Sequence, residues 1–309
     1  MVRTGFRREF RSGGVELVVR EPRTPEEHRE LMEVERLIWS TDYREVFPYH
    51  ITIPLMDIGG VVLGVYDKAS GRAVGVVVMM PGFKDGRPFL YSHMLGLLKQ
   101  YRGRGVGTWL KRVQREAALL KGYDLITWTY DPLLSLNAWY NFVKAGVIAR
   151  RYKVNYYGVV DFEYNRGVES DRLMAEWHLN SRRAVERLEG RGRHEPAEYF
   201  LRLGAHIALQ AAPSGEGREF LKPLRPDLSV SEDLVLAEVP DNFIDMQVKA
   251  PDLAREWRVR LREVMLHYLG RGYLVFDFTR SSNPVGGRRR YYYVLWRADP
   301  EDVLGGAYP

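Results

Sequence analysis

The chain has 309 residues, of which 45% are hydrophobic and 28% charged, with a net charge of +6 at pH 7. This is globular composition with length for about two cores, which excludes wholesale disorder, and the charge suits an anionic ligand without demanding nucleic acid. Cysteine is absent, so disulfides, thiolate metal ligands and a cysteine nucleophile are excluded.

The basic arm Arg3–Arg11 carries no apolar leader-like run and reads as a solvated end. The longest apolar runs, Val61–Tyr66 and Val74–Met80, are too short to span a bilayer. The expectation is a cytoplasmic protein with no membrane segment.

Val15–Arg20 alternates as a strand does. Thr24-Pro25-Glu26-Glu27 then opens a helix, with Thr24 as cap, Glu27 reaching back, and proline where its missing N–H costs nothing. Leu31, Val34 and Ile38 continue its apolar stripe, and Phe47-Pro48 breaks it. Val61–Tyr66 and Ala73–Met80 form a hairpin across Asp67–Gly71, and a second turn at Lys84–Pro88 leads into a strand over Phe89–Leu98.

A glycine-rich turn over Arg102–Gly107 precedes a helix that carries Val106, Trp109, Leu110, Val113, Ala117 and Leu120 on one face and ends at Lys121-Gly122. Tyr123–Tyr130 is a strand stopped by Asp131-Pro132, where Asp131 reads as a cap or turn residue. Ser135–Ala145 is a helix closing at Gly146, and Val147–Val160 a last strand or pair. Residues 190–227, rich in Gly, Arg, Pro and Glu, read as linker. Beyond them Leu234–Val239, a helix through Leu253, Trp257, Leu261, Val264, Met265 and Tyr268, and strands at Tyr273–Phe278 and Tyr291–Trp296 make a smaller β-α-β-β unit. Gly122-Tyr123 and Gly272-Tyr273 follow helices in the same way, the trace of a half-repeat.

The chemistry concentrates in Gln100-Tyr101-Arg102-Gly103-Arg104-Gly105-Val106-Gly107-Thr108. Glycines at alternate positions let several N–H groups point into one concavity, and the helix behind adds its positive end, a phosphate-binding combination. A P-loop would end Gly-Lys-Ser/Thr, and here Thr108 follows Gly107 directly. A dinucleotide fingerprint would be GxGxxG after a first strand; this is GxGxG, late, after hairpins. The pattern Q/R-x-x-G-x-G/A is met twice, at Gln100-x-x-Gly103-x-Gly105 and Arg102-x-x-Gly105-x-Gly107.

By this motif and by element order, residues of about 15–160 resemble the GNAT N-acetyltransferase superfamily, and the run from Tyr91 to Gly158 is similar to an uncharacterised prokaryotic subgroup with a C-terminal extension. The resemblance implies an α/β (α+β) GNAT fold with a mixed, mostly antiparallel sheet flanked by helices over 1–165. A smaller C-terminal α/β domain would fill 166–309. It implies acetyl-CoA or another acyl-CoA as co-substrate, lying in a V between the two central strands. The backbone of Leu95, Leu97 and Leu98 would face the pantetheine arm; Gln100, Arg102, Gly103, Arg104, Gly105, Val106, Gly107 and Thr108 would hold the diphosphate; and Asn137 and Asn141 would touch the cofactor. An amine, on a small molecule or a peptide, would attack the thioester directly, without a metal and without a covalent intermediate.

The sequence departs from the family at the proton donor. Aligning Ala138 and Gly146 puts Phe142 where the thiol-protonating tyrosine stands, and phenylalanine has no proton to give. Tyr140 and Asn137 are the nearby polar alternatives, although at 3.6 residues per turn Tyr140 points well away from Phe142. His93, on the predicted central strand and sharing a face with residues 95 and 97, is the first choice for general base, against the plainer role of a core histidine. Glu33 and Glu35 are secondary. Arg150–Lys153 could face the CoA phosphates or form an exposed turn. Arg288–Tyr293 mixes basic and aromatic residues, but reads more simply as a hairpin arm with its arginines in water. Two further readings stand beside the enzyme: an acyl-CoA-binding module without turnover, favoured by Phe142, and nucleic-acid binding, resting only on the basic-aromatic strand and the net charge.

Overall fold

The computed structural model describes residues 5–39, 42–43, 45–158, 168–213, 219–284 and 287–309. The chain forms two compact units, Met1–Trp128 and Thr129–Pro309.

The first unit is built on a meander: β1 (Arg7–Ser12), β2 (Val15–Arg20), then α1 (Pro25–Trp39) and α2 (Tyr49–Asp57), then β3 (Val61–Asp67), β4 (Ala73–Lys84) and β5 (Arg87–Leu97). All neighbouring pairs from β1 to β5 are antiparallel. After the glycine turn, α3 (Val106–Leu120) returns the chain to β6 (Leu125–Tyr130), which is parallel to β5; the division between the units falls inside β6. The expected start of α1 holds with a shift. Thr24 Oγ1 accepts the amide of Glu27 at 3.3 Å, but Glu27 reaches back to the amide of Arg23, not of Thr24, and is forked by Arg20. Leu31, Val34 and Ile38 of α1 pack with Leu55 of α2 and with Val62, Val76, Val78 and Met94 on one face of the sheet.

Two expectations for this unit fail. The basic arm is not frayed: Arg7–Ser12 pair residue for residue with Val15–Arg20, Phe10 lies 5.0 Å from Trp109, and Arg8 forks Glu116 of α3. Its charge is that of an edge strand facing water. The region after Phe47 is no plain loop but the helix α2, which contains Pro54.

In the second unit the chain runs α4 (Ser135–Trp139), β7 (Ile148–Lys153), β8 (Arg172–His178), α5 (Arg182–Leu188), α6 (Ala197–Arg202), β9 (His206–Leu209), β10 (Ala211–Pro213), β11 (Leu221–Pro223), β12 (Leu234–Val239), α7 (Phe243–Lys249), α8 (Pro251–Leu269), β13 (Leu274–Arg280), β14 (Tyr291–Trp296) and α9 (Pro300–Leu304). Its sheet has the order β8-β7-β13-β14-β12-β9, antiparallel except for β12 with β9. The linker reading of 190–227 is therefore wrong: α6 and β9–β11 lie there, and Phe200 is fully buried in the core with Phe276 and Val294. Residues 214–218 of that stretch lie outside the described residues, as do 159–160 of the expected last strand. The half-repeat weakens too, since β14 separates β12 from β13 whereas β5 and β6 are neighbours.

This unit is stitched by buried ion pairs. Arg258 grips Asp131 through both terminal nitrogens, at 2.7 and 2.5 Å, while Asp131 also caps the amide of Leu133 at 2.9 Å, the expected turn role. Arg187 meets Asp277 at 2.7 Å, and Arg290 meets Glu238. Arg290 is thus buried, not in water as its basic run suggested, and Tyr293 beside it in sequence is fully buried. Arg150 is likewise no free turn residue; it stands in β7 and binds Glu176.

Candidate functional site

β5 and β6 are hydrogen-bonded neighbours at two positions only, Leu90 with Ile126 and Tyr91 with Thr127. Beyond these the parallel strands part, so Ser92 and Trp128 are the first residues of the opening. On its other side β5 stays paired with β4 as far as Leu97. Antiparallel pairing alternates the direction of backbone groups. The amide of Leu98 donates to Val74 at 2.9 Å, which puts the groups of Gly96 and Met94 toward β4 as well and those of Leu95 and Leu97 toward the opening. Leu98 is a correction to the expected pantetheine contacts: its amide is taken by Val74 and its carbonyl by the amide of Tyr101 at 3.0 Å.

The strand does not alternate cleanly. The β4–β5 register slips between Val78↔Met94 and Met79↔Ser92, so His93 is an extra, bulged residue. Ser92 reaches α3, accepting from Gln114 at 2.7 Å, whereas Met94 packs in the α1 cluster and a Cβ on Gly96 would strike Trp39 and Ile38 of α1. His93 lies 5.0 Å from the Phe47 ring on the α1–α2 side. Residues 93, 95 and 97 therefore do not share a face.

At the end of β5, Lys99–Tyr101 make one 3₁₀ turn, and Arg102 folds back so that its Nε donates to the carbonyl of Leu97 at 2.8 Å. Gly103 and Gly105 take φ of +77° and +80°, the left-handed region, with nothing within 4 Å of where a Cβ would stand; backbone conformation and not crowding is what requires glycine there. Arg104 packs on Gly13 of the β1–β2 turn. The next amide bonded to backbone is that of Trp109, to the carbonyl of Gly105. Among the described residues, the amides from Gly103 to Thr108 have no partner, and Gln100 and 102–105 are exposed while Val106 is buried. A row of free donors thus stands at the positive end of a 15-residue helix, beside the parted strands.

A mixed, mostly antiparallel sheet flanked by helices agrees with the fold class expected from the sequence. No protein-family model and no curated protein sequence matches the chain. Among solved structures it is similar to a GNAT-family acetyltransferase from Streptococcus pneumoniae (15% identity, TM-score 0.42, covering 52% of this chain and 98% of that one). It is also similar to Naa50 of Arabidopsis thaliana in complex with a bisubstrate analogue (15%, 0.40, 52% and 97%) and to a GNAT-family acetyltransferase from Elizabethkingia anophelis with acetyl-CoA bound (12%, 0.37, 57% and 99%).

The α1 side of β5 holds two titratable groups that meet at Phe47. The buried Glu35 carboxylate accepts the Phe47 amide at 3.0 Å, and burial pushes its pKa up to about 7. His93 is exposed, yet enough protein stands around it that desolvation lowers its pKa below the ordinary imidazole value. Glu35 was read from sequence as a secondary carboxylate; only its burial singles it out. Glu33, the other secondary carboxylate, accepts from Arg36 and Tyr43.

On the α3 side, Lys111 Nζ lies 3.8 Å over the Trp128 ring and donates to Gln114 at 3.0 Å. Its side chain is half-buried, but the amino group sits in the interior, and desolvation lowers its pKa to about 7. Nothing in the sequence pattern marks this lysine.

In the second unit, α4 does not continue as an α-helix to Ala145. It widens at Tyr140–Ala145 into a π-helical turn, closed by Gly146 at φ +74°. Such turns collect at functional sites. Asn137 and Tyr140 are exposed. Asn141 is buried, with its side chain against the Tyr130 hydroxyl, and Phe142 is fully buried 5.9 Å from the Tyr293 ring. The 3.6-residue spacing used for Tyr140 therefore does not apply, although Tyr140 and Phe142 still face opposite ways.

Proposed function

We propose that the chain is an N-acyltransferase that moves an acetyl or other acyl group from CoA to an amine by direct attack in a ternary complex. The observation that carries this is the row of free amides from Gly103 to Thr108 at the head of α3, beside the opening of β5 and β6. In this reading the amides hold the diphosphate with Arg102 and Arg104 nearby, and the pantetheine arm lies against the backbone of Leu95 and Leu97 with its sulfur toward Ser92. We assign 1–165 to acyl-CoA binding and 166–309 to a companion domain.

The acceptor amine, on a small molecule or peptide, enters from the Phe47 side. His93 or Glu35 removes its proton; desolvation raises Glu35 to about 7, and lowers His93 below the ordinary imidazole value so that its ring is the neutral, proton-accepting form at pH 7. The enzyme's contribution is positioning in a site with little water. Asn137, Tyr140 and Asn141 are retained as candidate contacts of the π-turn segment.

The second reading, an acyl-CoA-binding module without turnover, is favoured by one observation, the buried phenyl ring of Phe142. Incubation with acetyl-CoA and a panel of amines, read as free thiol, separates the two. Thiol release that depends on protein and amine supports the enzyme; CoA binding with no release above background supports the module; no CoA binding refutes both.

A further inference from the structure

We propose that Lys111 is the general acid that protonates the departing CoA sulfur. The inference rests on the acyl-transfer reading above. It begins from a gap: position 142 offers no proton, and that ring is buried.

Lys111 is placed where a replacement would have to stand. Ser92 and Trp128 are the first residues of the two central strands past their last paired positions. Lys111 touches both sides of this fork, lying over Trp128 directly and reaching Ser92 through Gln114. All three bonds come from the α3 side, which is also the side of the diphosphate turn, while His93 and Glu35 stand on the α1 side. An amine arriving beside Phe47 and a thiolate leaving toward α3 then separate proton removal from proton donation across the sheet. Gln114, fully buried, fixes the lysine's distance from the fork.

The electrostatics agree. Lys111 Nζ donates to the neutral amide of Gln114 on α3 and lies over the indole of Trp128 on β6, and the amide in turn donates to the Ser92 hydroxyl on β5. Of the charged residues next along α3, Glu116 is engaged by Arg8. An ammonium that parts with its proton near neutral pH is matched to a thiolate.

In the step, the acceptor nitrogen forms its bond to the thioester carbon, the C–S bond breaks, and sulfur takes that electron pair and the Nζ proton. Neutral Lys111 is reprotonated from solvent, and the proton lost by the acceptor leaves through His93 or Glu35.

The test uses the full chain with Lys111→Met and Lys111→Arg. CoA affinity, by calorimetry, is expected to stay within about threefold of wild type in both. The thiol of bound CoA, titrated by thiolate difference absorbance, should ionise about one unit lower in Lys111→Arg, whose guanidinium stays charged, than in wild type and Lys111→Met, where position 111 carries no charge over the range in which the thiol titrates. Thiol release with the fastest amine of the panel should fall about a hundred-fold in both variants, and the alkaline decline of wild-type kcat should vanish. Wild-type kcat and pH profile in Lys111→Met, or the same thiol ionisation in Lys111→Arg as in Lys111→Met, overturn the assignment of Lys111 and leave acyl transfer standing. Absence of CoA binding by wild type overturns both.

Discussion

Glu35 accepts the backbone N–H of Phe47 at 3.0 Å, and so ties the middle of α1 to the segment that sets the Phe47 ring against His93. A carboxylate so used is buried at a cost that depends on pH. The native state keeps its proton up to about 7, while the unfolded chain releases it near 4.5. Between these values the native state binds more protons, so stability falls as pH rises. The contribution is whole below the lower value and lost above the upper one. Glu35→Gln should flatten this limb, unfolding in urea like wild type at about pH 5 and more stably at about pH 8, by up to roughly 3 kcal/mol. A variant as pH-dependent as wild type would contradict the burial of this group.

Gly105→Val should break the turn's grip on phosphate. A β-branched residue at φ +80° is strained by about 1–2 kcal/mol, and the amides would no longer stand as they do. We expect CoA affinity to fall at least about tenfold. Gly122→Val is the control: its φ is +85° with open space around it, at the far end of α3. It should lose similar stability and keep CoA affinity; equal loss of affinity in both would mean that strain alone is being read.

Phe142→Tyr should not restore an acid. The ring is fully buried against Tyr293, so the added hydroxyl enters a packed core, with an expected destabilisation of about 1–3 kcal/mol and no gain in thiol release. A faster enzyme would show that the tyrosine position still serves catalysis.

The sequence exposed some of this and hid the rest for identifiable reasons. The 102–107 turn was readable because left-handed φ leaves glycine as the easy choice, and the spacing of glycines records the backbone. β1 was not, since Arg-Arg-Glu-Phe-Arg-Ser carries one apolar residue and pairs by its backbone. α2 was masked by Pro54, and α6 and β9–β11 by the glycines and prolines between very short elements. The bulge at His93 leaves no mark in composition, so its face was misassigned. Glu35 and Lys111 look like any helix-surface charges until their burial is known.

Arg258→Met should leave the Asp131 carboxylate buried without its fork and cost about 3–5 kcal/mol. Adding Asp131→Asn, which keeps the cap on Leu133, should recover a good part of that loss in thermal melts. Equal stability of the single and double variants would show that the pair is not coupled.

The central claim is that the amides from Gly103 to Thr108 receive the diphosphate of CoA. Backbone amide NMR of the ¹⁵N-labelled protein tests it most directly. Added CoA should shift the resonances of Gly103, Gly105 and Gly107 strongly, and pantetheine, which has no phosphates, should shift them far less. CoA that binds while leaving these amides unmoved would contradict the account.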